Sequence, residues 1–131
     1  MDNIQKAFLV LVRSGLWEKV ARLSQFDEVD YNELYCLAEE QSVVGLVAAG
    51  VERVIDCKIP QGIALQFAGT TLQLEQRNQQ MNSFLKELVD RLKAEEISAL
   101  LVKGQGVAQC YERPLWRTCG DIDLLLDSQI I

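Results

Sequence analysis

The chain has no histidine among its 131 residues, only two prolines and no long apolar run. Without histidine, every mechanism that uses an imidazole base is excluded, so any chemistry depends on carboxylates, metals, lysine or arginine. No apolar run reaches the roughly 20 residues that a membrane helix needs. We therefore predict an amphipathic first helix and a cytoplasmic protein without a membrane partner.

Basic residues are also scarce, at 13 against 19 acidic residues, which gives a net charge of −6. This balance disfavours passive attraction to a polyanion, so nucleic acid is not indicated as a partner. The cysteines form no C-x-x-C pair, and there is no histidine to complete a zinc site. They are interpreted as buried or free thiols in a reducing compartment: Cys36, Cys57, Cys110 and Cys119.

The beginning of the chain shows apolar residues at helical spacing. The spacing predicts a first helix over Ile4 to Val12 that stops at Ser14 and Gly15. A second, short helix is predicted around Leu16 to Leu23, where the apolar residues keep the same spacing.

Two further helices are predicted before residue 60. Asp30 followed by Glu33 is typical of a capping box and predicts a helix that starts near Tyr31. Ser42 is predicted to cap the next helix, which would run towards Ile55. Residues 1–59 are therefore interpreted as an N-terminal helical region.

A long connecting helix is predicted over residues 60–96. Pro60 suits a first helical turn, and no proline follows until Pro114. If the segment instead forms two collinear helices, the break is expected at Gly69. The second half contains an apolar stripe of Met81, Phe84, Leu85, Leu88, Val89 and Leu92. The polar run over residues 75–80 is predicted to face water or another segment.

After residue 97 the pattern changes from helix to strand. Ala99 to Val102 is a short apolar run that ends in a glycine turn, and Asp121 to Leu126 predicts a second strand buried on both faces. Antiparallel pairing of these strands would place the glycine turn beside the start of the second strand.

Asp121 and Asp123 are candidate metal ligands. Residues two apart on a strand point to the same face, and two neighbouring carboxylates repel unless a cation lies between them. Magnesium prefers such oxygen ligands and leaves positions for phosphate oxygens. The alternative is that the two aspartates only mark a strand end at the surface, which is the commoner origin of an isolated D-x-D.

Basic and turn residues near this pair are candidates for phosphate binding. Gly104 and Gln105 can offer backbone N–H groups at the turn, although the turn has neither P-loop nor dinucleotide-fold spacing. Lys103, Arg113 and Arg117 form a local positive cluster that is either phosphate-binding or solvated. An aromatic residue within this loop, Trp116, either stacks on a base or fixes the loop to the core.

The run ALLVKGQGVAQCYERPLWRTCGDIDLLL resembles the signature of a poorly characterised nucleotidyltransferase family in the DNA polymerase beta superfamily. The signature pairs an L-h-K-G turn with R-x-x-G-D-I-D-L-h after a tyrosine-containing loop. The preceding long helix and LAEEQSVVGLVAAGVERV are similar to the upstream helices of that family. The resemblance covers most of the chain from about Tyr31 onward.

This resemblance implies metal-dependent transfer of a nucleotidyl group from a nucleoside triphosphate to an unknown acceptor, with Mg²⁺ or Mn²⁺ as cofactor. Asp121 and Asp123 would be the catalytic metal ligands. The substrate-binding positions would be Lys103, Gly104, Gln105 and Arg117. Where the wider superfamily usually has Gly followed by Gly or Ser at the turn, this chain has Gly104-Gln105.

The resemblance also implies a third carboxylate on a later strand, which the sequence to Ile131 does not contain. We therefore expect an α+β fold, mainly α, in which residues 97–131 form the first part of a truncated nucleotidyltransferase core with two antiparallel strands. Such a chain is expected to be inactive alone and to self-associate. Two alternatives remain open: a non-catalytic binding or regulatory module, and a helical interaction scaffold.

Overall fold

The computed structural model describes residues 1–101, 105–118 and 122–128. The helices are α1 (Asn3–Trp17), α2 (Tyr31–Glu40), α3 (Val44–Val51), α4 (Gln61–Ala94) and α5 (Gln105–Ala108). The strands are β1 (Ile97–Leu101) and β2 (Leu124–Ser128), and short 3₁₀ turns occupy Ser24–Phe26 and Pro114–Trp116. This order confirms the predicted α+β class, mainly α. Among the described helices, none is long and apolar enough to cross a membrane.

α3 is the centre of the helical packing, because nearly all of its residues are apolar and buried. A helix that is apolar on every side needs neighbours on every side. α1 approaches it so closely that a Cβ atom added to Gly15 would lie 1.8 Å from the Leu46 carbonyl oxygen. Gly15 therefore serves helix packing, and the prediction that α1 stops at Ser14 and Gly15 is wrong. The largest fully buried side chains around this contact are Leu11, Leu23, Leu34 and Val47.

The residues between α1 and the first 3₁₀ turn form no helix, so the prediction of a second helix there is wrong. The Ala21 backbone instead pairs with Val54 in a parallel bridge. Asp56 accepts hydrogen bonds from the Leu23 N–H at 2.9 Å and from the Ser24 hydroxyl at 2.7 Å, which lower the pKa of Asp56 to about 2. A distant segment thus satisfies the backbone groups that a helix would have paired internally.

The predicted start of α2 is confirmed, whereas the predicted start of α3 is wrong. The Asp30 carboxylate accepts hydrogen bonds from the Asn32 and Glu33 N–H groups at 3.1 and 3.2 Å, and therefore caps α2. Ser42 has a left-handed φ of 58°, and α3 begins after Val43 without a side-chain cap. α3 also ends earlier than predicted.

α4 is a continuous helix of 34 residues that passes through Gly69 without a break. At 1.5 Å per residue its length is about 51 Å. Its first half belongs to the core, where Phe67 is buried and the ring of Tyr35 packs edge-to-face on it at 5.1 Å. The Tyr35 hydroxyl hydrogen-bonds to the Thr70 hydroxyl at 2.6 Å. The second half of α4 leads into β1.

β1 and β2 pair antiparallel, with Leu101 opposite Leu124 and Ile97 opposite Ser128. The predicted antiparallel pairing is confirmed. The predicted bounds are shifted, since β1 starts two residues earlier and β2 three residues later than expected.

One face of this strand pair is open in the described part of the chain. Leu100 and Leu125 lie opposite each other, and each is 62% exposed. The prediction that the second strand is buried on both faces is therefore wrong for the described residues. β1 contacts α4, and its half-buried residues alternate with exposed ones. The alternation indicates that one side of β1 faces the long helix.

The close approach of α1 and α3 generates a stability prediction. Gly15→Ala should lower the free energy of unfolding by about 1 to 3 kcal/mol, because the new methyl group overlaps the Leu46 carbonyl and forces the helices apart. Gly69→Ala is the matched control, since a Cβ atom there meets nothing within 4 Å. It should raise stability by about 0.5 to 1 kcal/mol through helix propensity alone. Urea unfolding followed by circular dichroism measures both, and equal effects would contradict the packing role.

Candidate functional site

The predicted site residues are described in part. Asp123 is exposed and lies directly before β2, so it precedes the strand instead of lying within it. Gln105 is the first residue of α5. Lys103, Gly104 and Asp121 lie outside the described residues.

The strand register brings two candidate segments to the same end of the ladder. β1 ends at Leu101, which lies opposite Leu124, the first residue of β2. The end of β1, from which the chain continues to Gln105, therefore lies beside the start of β2, which the chain enters through Asp123. Antiparallel pairing predicts that the glycine turn and the aspartates meet at this end of the ladder, and this stays a prediction because Gly104 and Asp121 lie outside the described residues.

Arg117 follows the second 3₁₀ turn and lines a cavity of about 250 Å³ between residues 41–46 and 111–118. Its guanidinium carbon lies 5.9 Å from the centre of the Tyr111 ring, within the range of a cation–π contact. The hydroxyl-bearing residues Ser42 and Thr118 also line the cavity. A half-buried cation in a concave, partly polar surface is a suitable contact for a phosphate group.

The loop that contains Arg117 is attached to the middle of α4 by Asn78. The Asn78 side chain is 2% exposed, and its amide nitrogen donates to the Leu115 carbonyl at 2.6 Å and to the Arg117 carbonyl at 2.8 Å. Both carbonyls belong to the loop, 37 and 39 residues away in sequence. The bonds therefore fix the loop backbone on each side of Trp116.

Trp116 fixes the same loop to the helical core. Its indole N–H donates to the Glu75 carboxylate at 2.6 Å, and its side chain packs against the core cluster. Its carbonyl oxygen lies so close to α3 that a Cβ atom on Gly45 would be 1.8 Å from it. The structure therefore favours the anchoring interpretation of this aromatic residue over base stacking.

Arg113 is held by carboxylates of the helical region. Its guanidinium binds Glu18 at 2.6 Å and Glu52 at 2.8 Å, and it lies 4.4 Å from the centre of the Trp116 ring. Glu18 also binds Arg53 at 2.7 Å. Burial acts to raise the pKa of Glu18, but the hydrogen bonds and charges of the two arginines outweigh it and lower that pKa. Of the predicted positive cluster, Arg113 is thus a structural residue.

The donor chemistry of the aspartate pair fits a divalent cation. Carboxylate oxygens are the ligands that Mg²⁺ prefers, and the exposed carboxylate of Asp123 stands at the strand entry. Within residues 1–101, 105–118 and 122–128, no three potential ligand side chains cluster to hold a metal. A cation at this end of the sheet would therefore need Asp121 and oxygens from a substrate or from water.

The family model of an uncharacterised nucleotidyltransferase family matches residues 27–130, more than three quarters of the chain. The chain belongs to this family. The matched range includes every residue predicted to bind metal or substrate, and the resemblance inferred from the sequence is confirmed. Comparisons with curated proteins and with solved structures gave no match.

In this nucleotidyltransferase family member, the sequence did not predict the anchoring roles of Glu75 and Asn78. The polar run over residues 75–80 was predicted to face water or another segment, and Glu75 and Asn78 within it contact the loop over residues 113–117. The uniform polarity of the run was the available signal. It could not identify which of its residues are buried or what they contact.

The arginine pairs of Glu18 predict a pH-dependent stability difference. Glu18→Gln should lower the free energy of unfolding by about 1 kcal/mol at pH 7, because it removes partly screened ion pairs to two arginines. Since the folded pKa of Glu18 is lowered, the stabilisation is complete above the ordinary carboxyl pKa of 4.5 and is lost as the pH falls through the folded value. The difference from wild type should therefore shrink between about pH 5 and pH 2, as expected for a salt-bridged carboxylate.

The control is Glu87→Gln, which removes an exposed pair with Arg91 on α4. Its effect should be about 0.5 kcal/mol or less at every pH. Chemical unfolding at several pH values measures both variants. A Glu18→Gln difference that stays constant down to pH 2 would show that the ion pairs do not stabilise the fold.

Proposed function

We propose that this chain provides the metal- and nucleotide-binding part of an enzyme that transfers a nucleotidyl group from a nucleoside triphosphate to an acceptor hydroxyl. The observation that carries the proposal is the strand register, in which Leu101 lies opposite Leu124. It brings the end of β1, which the glycine turn follows in the sequence, next to the start of β2, which Asp123 directly precedes. Membership of the nucleotidyltransferase family supports the same chemistry.

Asp121 and Asp123 are the residues that would hold Mg²⁺ or Mn²⁺, with phosphate oxygens completing the coordination. The bound ion would neutralise charge on the triphosphate and on the leaving group. Lys103 and Arg117 would bind phosphate oxygens as cations, and the backbone at Gly104-Gln105 would donate N–H groups to the same phosphates. Arg117 is suited to this role because it lines the cavity beside residues 41–46.

In the proposed reaction, the acceptor oxygen attacks the α-phosphorus atom and forms a new phosphorus–oxygen bond. The bond from the α-phosphorus to the bridging oxygen of the β-phosphate breaks, and pyrophosphate leaves. The proton of the acceptor hydroxyl is lost to a carboxylate or to water. Positioning and electrostatic stabilisation provide most of the acceleration in phosphoryl chemistry, which matches a site made of carboxylates and cations without histidine.

The role of Asp123 predicts a specific loss of metal-dependent binding. Asp123→Asn should weaken magnesium-dependent binding of nucleoside triphosphates roughly tenfold or more, because one metal ligand loses its charge. Its melting temperature should stay the same or rise, since removing one of two like charges relieves repulsion in the metal-free protein. Calorimetric titration of ATP, GTP, CTP and UTP with and without Mg²⁺ measures the first effect.

Asp127→Asn is the matched control, because it removes the same charge from an exposed position on β2, the strand that Asp123 directly precedes. It should leave nucleotide binding unchanged. Equal magnesium-dependent affinity in wild type and Asp123→Asn would refute the metal-ligand role. Equal losses of affinity in Asp123→Asn and Asp127→Asn would show that the effect comes from the change in net charge and not from a lost metal ligand.

A further inference from the structure

Asn78 is a buried polar residue in the middle of α4, and its side chain forms hydrogen bonds with the loop over residues 113–117. A buried amide without partners costs free energy, so such residues occur where their hydrogen bonds are satisfied. The two short bonds from its amide nitrogen go to loop carbonyls, at 2.6 and 2.8 Å. A side-chain amide has two N–H donors, and both are used here.

The two acceptors lie on either side of Trp116, at Leu115 and Arg117. Asn78 therefore fixes the peptide planes that decide where Arg117 leaves the loop. Arg117 lines the 250 Å³ cavity, and the chain continues from it towards the aspartate pair. A shift in the Arg117 backbone would move its guanidinium relative to anything bound in the cavity.

We propose that Asn78 is a positioning residue for substrate binding, which acts through the main chain of Arg117 to place its guanidinium against the triphosphate. The proposal rests on the proposed function, because it needs Arg117 to contact phosphate. In this role Asn78 acts on the substrate through Arg117. Its effect on affinity must therefore depend on the presence of the Arg117 side chain.

A double-mutant cycle separates this role from a general structural one. The variants are Asn78→Leu, Arg117→Ala and their combination, and the probes are ATP, GTP, CTP and UTP with Mg²⁺ in calorimetric titrations of the full chain. Asn78→Leu should weaken binding roughly tenfold when Arg117 is present, in line with the loss of hydrogen bonds that orient a charged contact. In the Arg117→Ala background the same substitution should cause no further loss.

Thr71→Val is the matched control, since Thr71 is a similarly buried polar residue of α4 whose hydroxyl bonds only to the Ala68 carbonyl of its own helix among the described contacts. It should leave nucleotide affinity unchanged. If Asn78→Leu does not fold, Asn78→Asp takes its place, because it keeps the side-chain shape while removing both N–H donors. Hydrogen exchange over residues 113–118 should rise in either Asn78 variant and stay at the wild-type level in Thr71→Val.

The outcomes distinguish this inference from the proposed function. A wild-type chain that binds none of the triphosphates would overturn both. Wild-type binding that Asn78→Leu leaves intact, or weakens equally with and without Arg117, would overturn the positioning role alone. Unchanged hydrogen exchange over the loop would show that Asn78 does not hold it.

Discussion

Trp116 makes two contacts that attach its loop to the helices. Its indole N–H needs a hydrogen-bond acceptor, and its own carbonyl oxygen packs against the backbone of α3 at Gly45, which has no side chain. The two demands fix its position, because Glu75 supplies the acceptor on one side and the missing side chain of Gly45 leaves the space on the other. These two contacts hold the loop over residues 113–117 against the helical core. The chain therefore continues towards the aspartate pair from a loop that is held in place by contacts with the helical core.

Carboxylates of the helical region also bind the loop over residues 113–117, and this affects which cations of the loop are proposed to bind a substrate. Glu18 and Glu52 bind the guanidinium of Arg113, so this arginine neutralises the half-buried carboxylate of Glu18 and the exposed carboxylate of Glu52. In a chain with a net charge of −6, the long-range field does not attract a triphosphate. Recognition of an anion must then be local, and the proposed cations for it are Lys103 and Arg117.

The sequence predicted those features that depend on local chemistry. The Asp30 cap, the long helix and the antiparallel strand pair follow from capping residues and hydrophobic periodicity. Other features depend on a distant partner and were missed. Gly15 looked like a helix stop but provides room for the Leu46 carbonyl, and the buried position of Asn78 depends on a loop 37 residues away. No local pattern contains that information, because the contacts exist only after the helices have packed.

The segment that contains the aspartates lies between Arg117 and Leu124, and α4 supports the chain at both of these residues. At one end, Asn78 holds the Arg117 carbonyl on the middle of the helix. At the other, Leu124 pairs with Leu101 of β1, and β1 contacts the same helix. A site held from rigid elements keeps its geometry better than one held from loops alone. Because α4 is continuous between these two attachments, the distance between the arginine and the strand that follows the aspartates is set by one helix, and a bend in that helix would change it.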